Sequence, residues 1–230
     1  VSALGSLASA DLAEADQLLV IPLGATEQHG PHLPLHTDTT IAVALGDRLA
    51  ARRNGVLVAP AVPYGSSGEH QSFPGTLSMG QGAIELVVLE LVRSATETFR
   101  RVLLLNAHGG NAVPVRRAEA RLRDEGRDVL AWNPAAAWSG DAHAGLIETS
   151  VMLVLAPESV DMTRAEPGNS QPVGELLTDL ERGGVAAVSP NGILGDPSGA
   201  SAADGRKLLD RAVAQLMRFV AEWPAVAVTQ

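Results

Sequence analysis

Short apolar runs alternate along the chain with longer stretches whose apolar positions recur every three or four residues. Residues 17–24 (QLLVIPLG) form the first run. An unbroken apolar stretch of this length, ending in a loop of His, Gly and Pro, predicts a buried parallel strand. The following segment, TDTTIAVALGDRLAARRNG, predicts a helix opening at Thr37 or Asp38 and closing at Asn54-Gly55, where a left-handed glycine terminates the turn. Residues 56–59 predict a second strand, and a long Gly/Ser/Pro-rich loop, PAVPYGSSGEHQSFPGTLS, comes after it. Across 81–100, Ile84, Val87, Val88, Leu91, Val92, Ala95 and Phe99 share one helical face. Residues 101–107 (RVLLLNA) predict a third strand, HGGN leads into a helix to about Glu125, and residues 128–132 predict a fourth strand. Further helices are expected at about 145–155, 173–182 and 202–222, with the Gly- and Pro-rich region 157–201 wrapped around the same domain. This order predicts a mainly parallel sheet covered by helices on both faces, in a single domain over residues 1–230.

Composition narrows the chemistry. With 230 residues, 46% of them hydrophobic and 19% charged, the chain can bury a core, and wholesale disorder is excluded. Aromatics are only 3%, so Ala, Val and Leu must fill that core. The net charge is −9 and no basic run appears, which argues against nucleic acid and against an anionic membrane as partners. No apolar run is long enough to span a bilayer. The first sixteen residues lack the basic and apolar regions of a signal peptide, so a cytoplasmic location is expected. Cysteine is absent, which removes disulfides, thiolate-bound zinc, iron–sulfur clusters and thiol nucleophiles together. No G-x-S-x-G elbow supports a serine triad either.

The six histidines are unevenly spread. His29, His32, His36 and His70 fall in the first two strand-end loops, while His108 and His143 open later segments. Strand C-terminal ends are where open α/β sheets gather functional groups. Glu27 and His29 are two apart, so an extended segment aims both the same way. Asp38 arrives at a helix start, which favours its ionised form. His108 follows the third strand beside Gly109 and Gly110. Such a mixed oxygen and nitrogen set suits Zn²⁺, Mn²⁺ or Fe²⁺. His143 and Glu148 are five apart, about 140° around an ideal helix, so both can serve one site only if His143 lies on the incoming loop. Glu148 sits on an otherwise apolar segment, an expensive place for a carboxylate without a partner. Each residue has a plainer use: a hydrogen-bonded histidine, a Glu27–arginine pair, Asp38 as an N-cap. Their clustering favours a site. Asn106 and Asn111 are expected to hold the HGG turn, and His32 to brace its loop.

The segments PLGATEQHGPHLPLHTD, GEHQSFPGT, NAHGGN and DAHAGLIETS resemble the four motifs of the creatininase family of metal-dependent amidohydrolases, in the same order, over about residues 20–150. GGVAAVSPNGILGDPSGAS and GRKLL extend the likeness to about Leu209. Within the family, GEHQSFPGTLS followed by GVAAVSPNGILGDP is most similar to the peptidase branch of mycofactocin maturation. The resemblance implies a three-layer α/β/α sandwich, two divalent ions per subunit (Zn, Fe or Mn) and a homohexamer. It implies that Asp38 bridges the two ions, that Glu27 and His108 complete one, and that His29 with Glu148 completes the other. His143 would move a proton to the departing amine, and Glu148 would act as ligand or base. Creatininase carries a glutamate ligand two positions after the third-motif histidine, where this chain has Gly110. That departure weighs against creatinine as substrate and gives Glu148 the missing carboxylate's place. Glu69 and His70 are expected to line the substrate cleft or an intersubunit contact. Trp132 and Trp138 are candidates to stack on substrate, with core packing the commoner use of Trp, and Trp138 is the one expected at the substrate. The implied activity is removal of the modified C-terminal part of a ribosomally made precursor peptide. The alternatives are creatinine ring opening, deformylation of a formamidopyrimidine nucleotide, and a catalytically dead metal-binding oligomer.

Overall fold

The computed structural model describes residues 3–12 and 17–224. Residues 1–2 and 13–16 of the segment read above for a signal peptide lie outside them, as do residues 225–230. The centre is a parallel sheet of β1 (Leu18–Leu23), β2 (Val56–Val58), β3 (Arg101–Asn106) and β4 (Val129–Trp132), in the order β2-β1-β3-β4. β1 pairs with β3 along its whole length, from Leu18↔Arg101 to Leu23↔Asn106. Its ladder with β2 stops at Val20↔Val58. Pro22, which has no N–H to give, lies beyond that end, so a proline is tolerated in a central strand.

Around the sheet are α1 (Thr37–Arg52), α2 (Gly80–Ala95), α3 (Ala112–Asp124), α4 (Leu146–Leu155), α5 (Val173–Val188) and α6 (Ala202–Glu222). Strand side chains alternate between two cores, as a period of two requires. Leu18, Val20, Val56, Val58, Leu103, Leu105 and Trp132 pack with α1, α4 and α6. Leu19, Ile21, Leu57, Val102, Leu104 and Val129 pack with α2 and α3. Both faces are apolar because helices cover both, which is why the strands read as unbroken runs. The result is the expected three-layer α/β/α sandwich.

Two helices depart from the sequence pattern. α2 ends at Ala95, so Phe99 is not on it. The Thr96 hydroxyl donates back to Val92 O at 2.9 Å, and Phe99 enters the α2/α3 core from the turn that feeds β3. α5 does not stop at Arg182: it continues to Val188 through a kink at Gly184, with φ 67° and ψ −170°. It carries its own small cluster, Leu176, Val185 and Leu194 with Phe73 and Leu180, beside the loops at the strand ends.

Candidate metal centre

Four strand-end segments converge. Glu27, His29, Asp38, His108 and His143 are all buried, a costly collection unless each charge is answered. The β1 loop folds back through Glu27 N donating to Leu35 O, which turns Glu27 and His29 inward. Asp38 lies in the first turn of α1, among backbone N–H groups with no helical partner. Asn106 fixes His108 by accepting from its N–H and donating to its C=O, at 3.3 and 2.9 Å. Asn111 closes the HGG turn only through its main chain, its N–H donating to His108 O at 3.3 Å, and its side chain does not bond within the turn. It staples other loops instead, accepting from Ser66 N and donating to Gly24 O. The fourth segment is placed by a bridge between His143 and Leu194. Ala144 takes a left-handed φ of 52°, which is uncommon for a residue with a Cβ. Its N–H donates to Glu148 Oε2 at 2.6 Å. His143 is therefore on the loop and Glu148 in the first turn of α4.

The hydrogen bonds decide which ring nitrogens are free. A carbonyl oxygen can only accept, so a ring nitrogen bonded to one carries the proton. His108 Nε2 donates to Ser66 O at 2.9 Å, leaving Nδ1 facing Asp38 Oδ2 at 3.1 Å and Glu27 Oε1 at 3.4 Å. His29 Nδ1 faces Glu27 O at 3.2 Å, leaving Nε2 to face Asp38 Oδ1 at 3.1 Å and Glu148 Oε2 at 3.8 Å. Lone pairs on neutral rings thus point at carboxylate oxygens, an arrangement that asks for a cation between them. Glu27 Oε2 and Asp38 Oδ2 are buried without a hydrogen-bond partner. Ligand atoms of Glu27, Asp38 and His108, of His29, Asp38 and Glu148, and of Glu27, His29 and His143 each gather within 4.8 Å. The first two sets share Asp38. The residues present fit divalent metal.

Protons take up the charge when no ion does. Burial disfavours a charged His29, but Asp38, Glu148 and Glu27 outweigh it and raise the ring to about 10. His108, also against its burial, is held well above the usual histidine range by Asp38 and Glu27. Asp38 stays far below the ordinary carboxylate range despite burial, because His29 and His108 flank it. Burial, with Asp38 nearby, pushes Glu148 up to about 7.

The cluster floors a cleft of about 860 Å³ walled by Glu69, His70, Gly110 and the α5 residues Val173, Leu177 and Leu180. Glu69 and His70 both line it. A Cβ at position 110 would lie 2.0 Å from Ser66 O, 2.5 Å from His108 Nε2 and 2.8 Å from Glu69 Oε1, so the Ser66–His108 pair and Glu69 together leave no room for a side chain there. Burial lowers His70 to about 4 and raises Glu69. Trp138 does not line the cleft, a correction to the sequence reading. Its ring packs on the α1/α4/α6 core and its N–H donates to Leu208 O at 3.1 Å, so both its apolar body and its polar tip are already used. Trp132 is in the same core. His36 is exposed, and His32 bonds Thr149 Oγ1 at 2.8 Å. The sequence reading missed Gln28 and Ser66, which act through an amide and a main-chain carbonyl. Only the position of Gln28 between Glu27 and His29 marked it.

Comparison with known proteins places this geometry among relatives. The family model described as "Creatininase: Creatinine amidohydrolase" matches residues 6–220. The mycofactocin precursor peptide peptidase of Mycobacterium ulcerans (strain Agy99) is 47% identical over 96% of this chain and 91% of its own length. A mutant creatininase of Zn-Zn type superposes with a TM-score of 0.84 at 26% identity, over 97% of this chain and 99% of that one. A manganese creatininase gives 0.82 at 26% identity, over 97% and 99%. Among the described residues, no helix is long and apolar enough to cross a membrane.

Proposed function

The chain belongs to the creatininase family, and from that premise we propose that it is the metal-dependent peptidase that releases the modified C-terminal part of a ribosomally made mycofactocin precursor peptide. The observation that carries this reading is the shared Asp38 at the floor of a large cleft: two ligand triads meet at one carboxylate. Asp38, Glu27 and His108 would hold one ion, and Asp38, His29 and Glu148 the other, with zinc, manganese or iron as the metal. Bound divalent ions would acidify a coordinated water and polarise the scissile carbonyl. His143, at the cleft wall, would take a proton and give it to the departing amine nitrogen, so that the C–N bond breaks with a neutral leaving group. Glu69 and His70 would contact the peptide.

The cleft supports a peptide over a small ring. About 860 Å³ is the room a drug-sized or peptide ligand needs, and creatinine would fill a small part of it. Among the described residues, Arg182 is the one Lys or Arg lining the cleft, a poor match to a nucleotide phosphate. We read the working form as a cytoplasmic homohexamer of single-domain subunits, on the family likeness. The test is to incubate metal-loaded protein with the modified precursor peptide and to follow products by mass spectrometry. The expected result is one cleavage near the modified C-terminus, abolished by chelation and restored by metal. No cleavage of the peptide alongside turnover of creatinine would overturn the proposal.

A further inference from the structure

Gln28 lies between two of the residues assigned to metal, and its amide is buried with every polar atom occupied. Oε1 accepts from Gly30 N at 2.8 Å, and Nε2 donates to Gly192 O at 3.0 Å. These two bonds settle which way the amide faces. The second hydrogen of Nε2 meets His70 Nδ1 at 2.7 Å, its shortest contact; His143 Nε2 is also 3.1 Å away, but Nε2 has no third hydrogen to give it. His70 Nδ1 is therefore the acceptor, and its proton must sit on Nε2, which faces Glu27 Oε1 at 3.5 Å. The main chain of the same residue does the equivalent for His143: Gln28 O lies 2.8 Å from His143 Nε2. A carbonyl offers no proton, so that nitrogen carries one. The free lone pair of His143 is then on Nδ1, 3.8 Å from Glu27 Oε1. Flipping the His143 ring would put a carbon against Gln28 O. The ring is also packed between the tilted rings of His29 and His70, with centroids 4.3 and 4.4 Å away.

The cradle of the amide is specific. Gly192, in the SPNGILGD stretch far along the chain, has φ 81°, and a Cβ there would stand 2.1 Å from Gln28 Oε1. Only glycine leaves the amide its place.

We propose that Gln28 is a positioning residue that fixes the tautomers of His70, through its side chain, and of His143, through its carbonyl, so that proton transfer at the scissile bond runs through His143 Nδ1. The step balances simply: Nδ1 takes one proton released by the attacking water and delivers it to the amine nitrogen as the C–N bond breaks. This inference rests on the peptidase reading for its substrate, but the tautomers can be read without one.

The test is ¹⁵N NMR of histidine-labelled, Zn²⁺-loaded wild-type protein, with peptide kinetics on the same sample. The expected result is a proton on Nε2, and none on Nδ1, for both His70 and His143. A proton on Nδ1 of either ring overturns the proposal, and this needs no variant. Gln28→Met, similar in length but without donors, should keep its zinc and lose the single tautomer at His70. Its kcat should fall about 10- to 100-fold, the usual effect of removing a group that orients a site residue, with a smaller change in KM. A Gln28→Met protein with wild-type kcat and an unchanged His70 spectrum overturns it as well. Wild-type tautomers as expected without peptide cleavage would instead sink the peptidase reading alone.

Discussion

Asp38 serves two neighbours through two oxygens: Oδ1 faces His29 and Oδ2 faces His108, each at 3.1 Å. Removing it leaves a histidine and a glutamate on each side, too few to hold an ion, so Asp38→Ala is expected to lose both metals. Elemental analysis checks this, and full occupancy would refute the shared-carboxylate arrangement. Glu148→Gln keeps an oxygen able to accept from Ala144 N but loses the negative charge beside His29. It should therefore deplete one ion selectively and leave the Glu27–His108 side loaded. His143 stands apart from both Asp38-sharing sets. His143→Ala should keep two metals and the fold while kcat drops about 10²–10⁴-fold, the usual loss when a positioned general acid or base is removed. Loss of metal would make His143 a ligand through the third set, with Glu27 and His29. Because the alanine variant loses the leaving-group proton donor, its defect should shrink on a substrate whose leaving group needs no protonation.

At the scale of elements, α5 closes one side of the cleft, and its kink is set by one residue. Gly184 adopts φ 67° and ψ −170°, a region essentially reserved for glycine, where any other residue costs about 1–3 kcal/mol. A Cβ would also come within 2.5 Å of Glu69 O. Gly184→Ala is expected to loosen α5 from the Gly68–His70 turn. KM should rise, metal content should stay intact, and hydrogen exchange over residues 173–188 should quicken. The same element shows where the sequence was legible. The four strands could be read because burial on both faces makes them continuous apolar runs, and α6 could be read from its periodicity to its ends. The sequence pattern ends this helix at about Arg182 because local propensity cannot see Leu194 and Phe73, against which Val185 and Leu180 continue to pack. Phe99 fitted the α2 stripe by spacing, but the chain has to leave the helix to enter β3. At the site, charged and imidazole side chains announced themselves, since burying them demands a purpose. Gln28, Ser66 O and Gly192 gave no such signal, because neutral amides, carbonyls and glycines are common in any loop. Trp138 was misread for the converse reason: an amphipathic ring fits a cleft and a core equally well on sequence grounds.

The whole molecule should answer to pH through this one cluster. In the metal-free protein His29 titrates at about 10 against an ordinary 6.5, and His108 is shifted the same way. A group whose folded pKa is raised holds its proton more tightly in the native state. Its stabilisation is complete below about 6.5 and is lost as pH climbs through the folded value. The metal-free protein should therefore lose stability between pH 6.5 and 10. Groups shifted the other way act elsewhere: His32 and His70, lowered to about 4, matter between 4 and 6.5, and Asp38 matters only in acid. Metal replaces those protons, and a ligand must be deprotonated to bind. Each proton displaced should strengthen apparent affinity about tenfold per pH unit over the window in which the metal-free ring is charged. The gap in Tm between zinc-loaded and chelator-treated protein is thus expected to widen from about pH 6.5 to about pH 8.5. Asp38→Ala, which is expected to hold no ion, should show no gap at any pH in the range. A wild-type gap that stays constant or narrows over that range would mean that His29 and His108 are not the groups exchanging protons for metal.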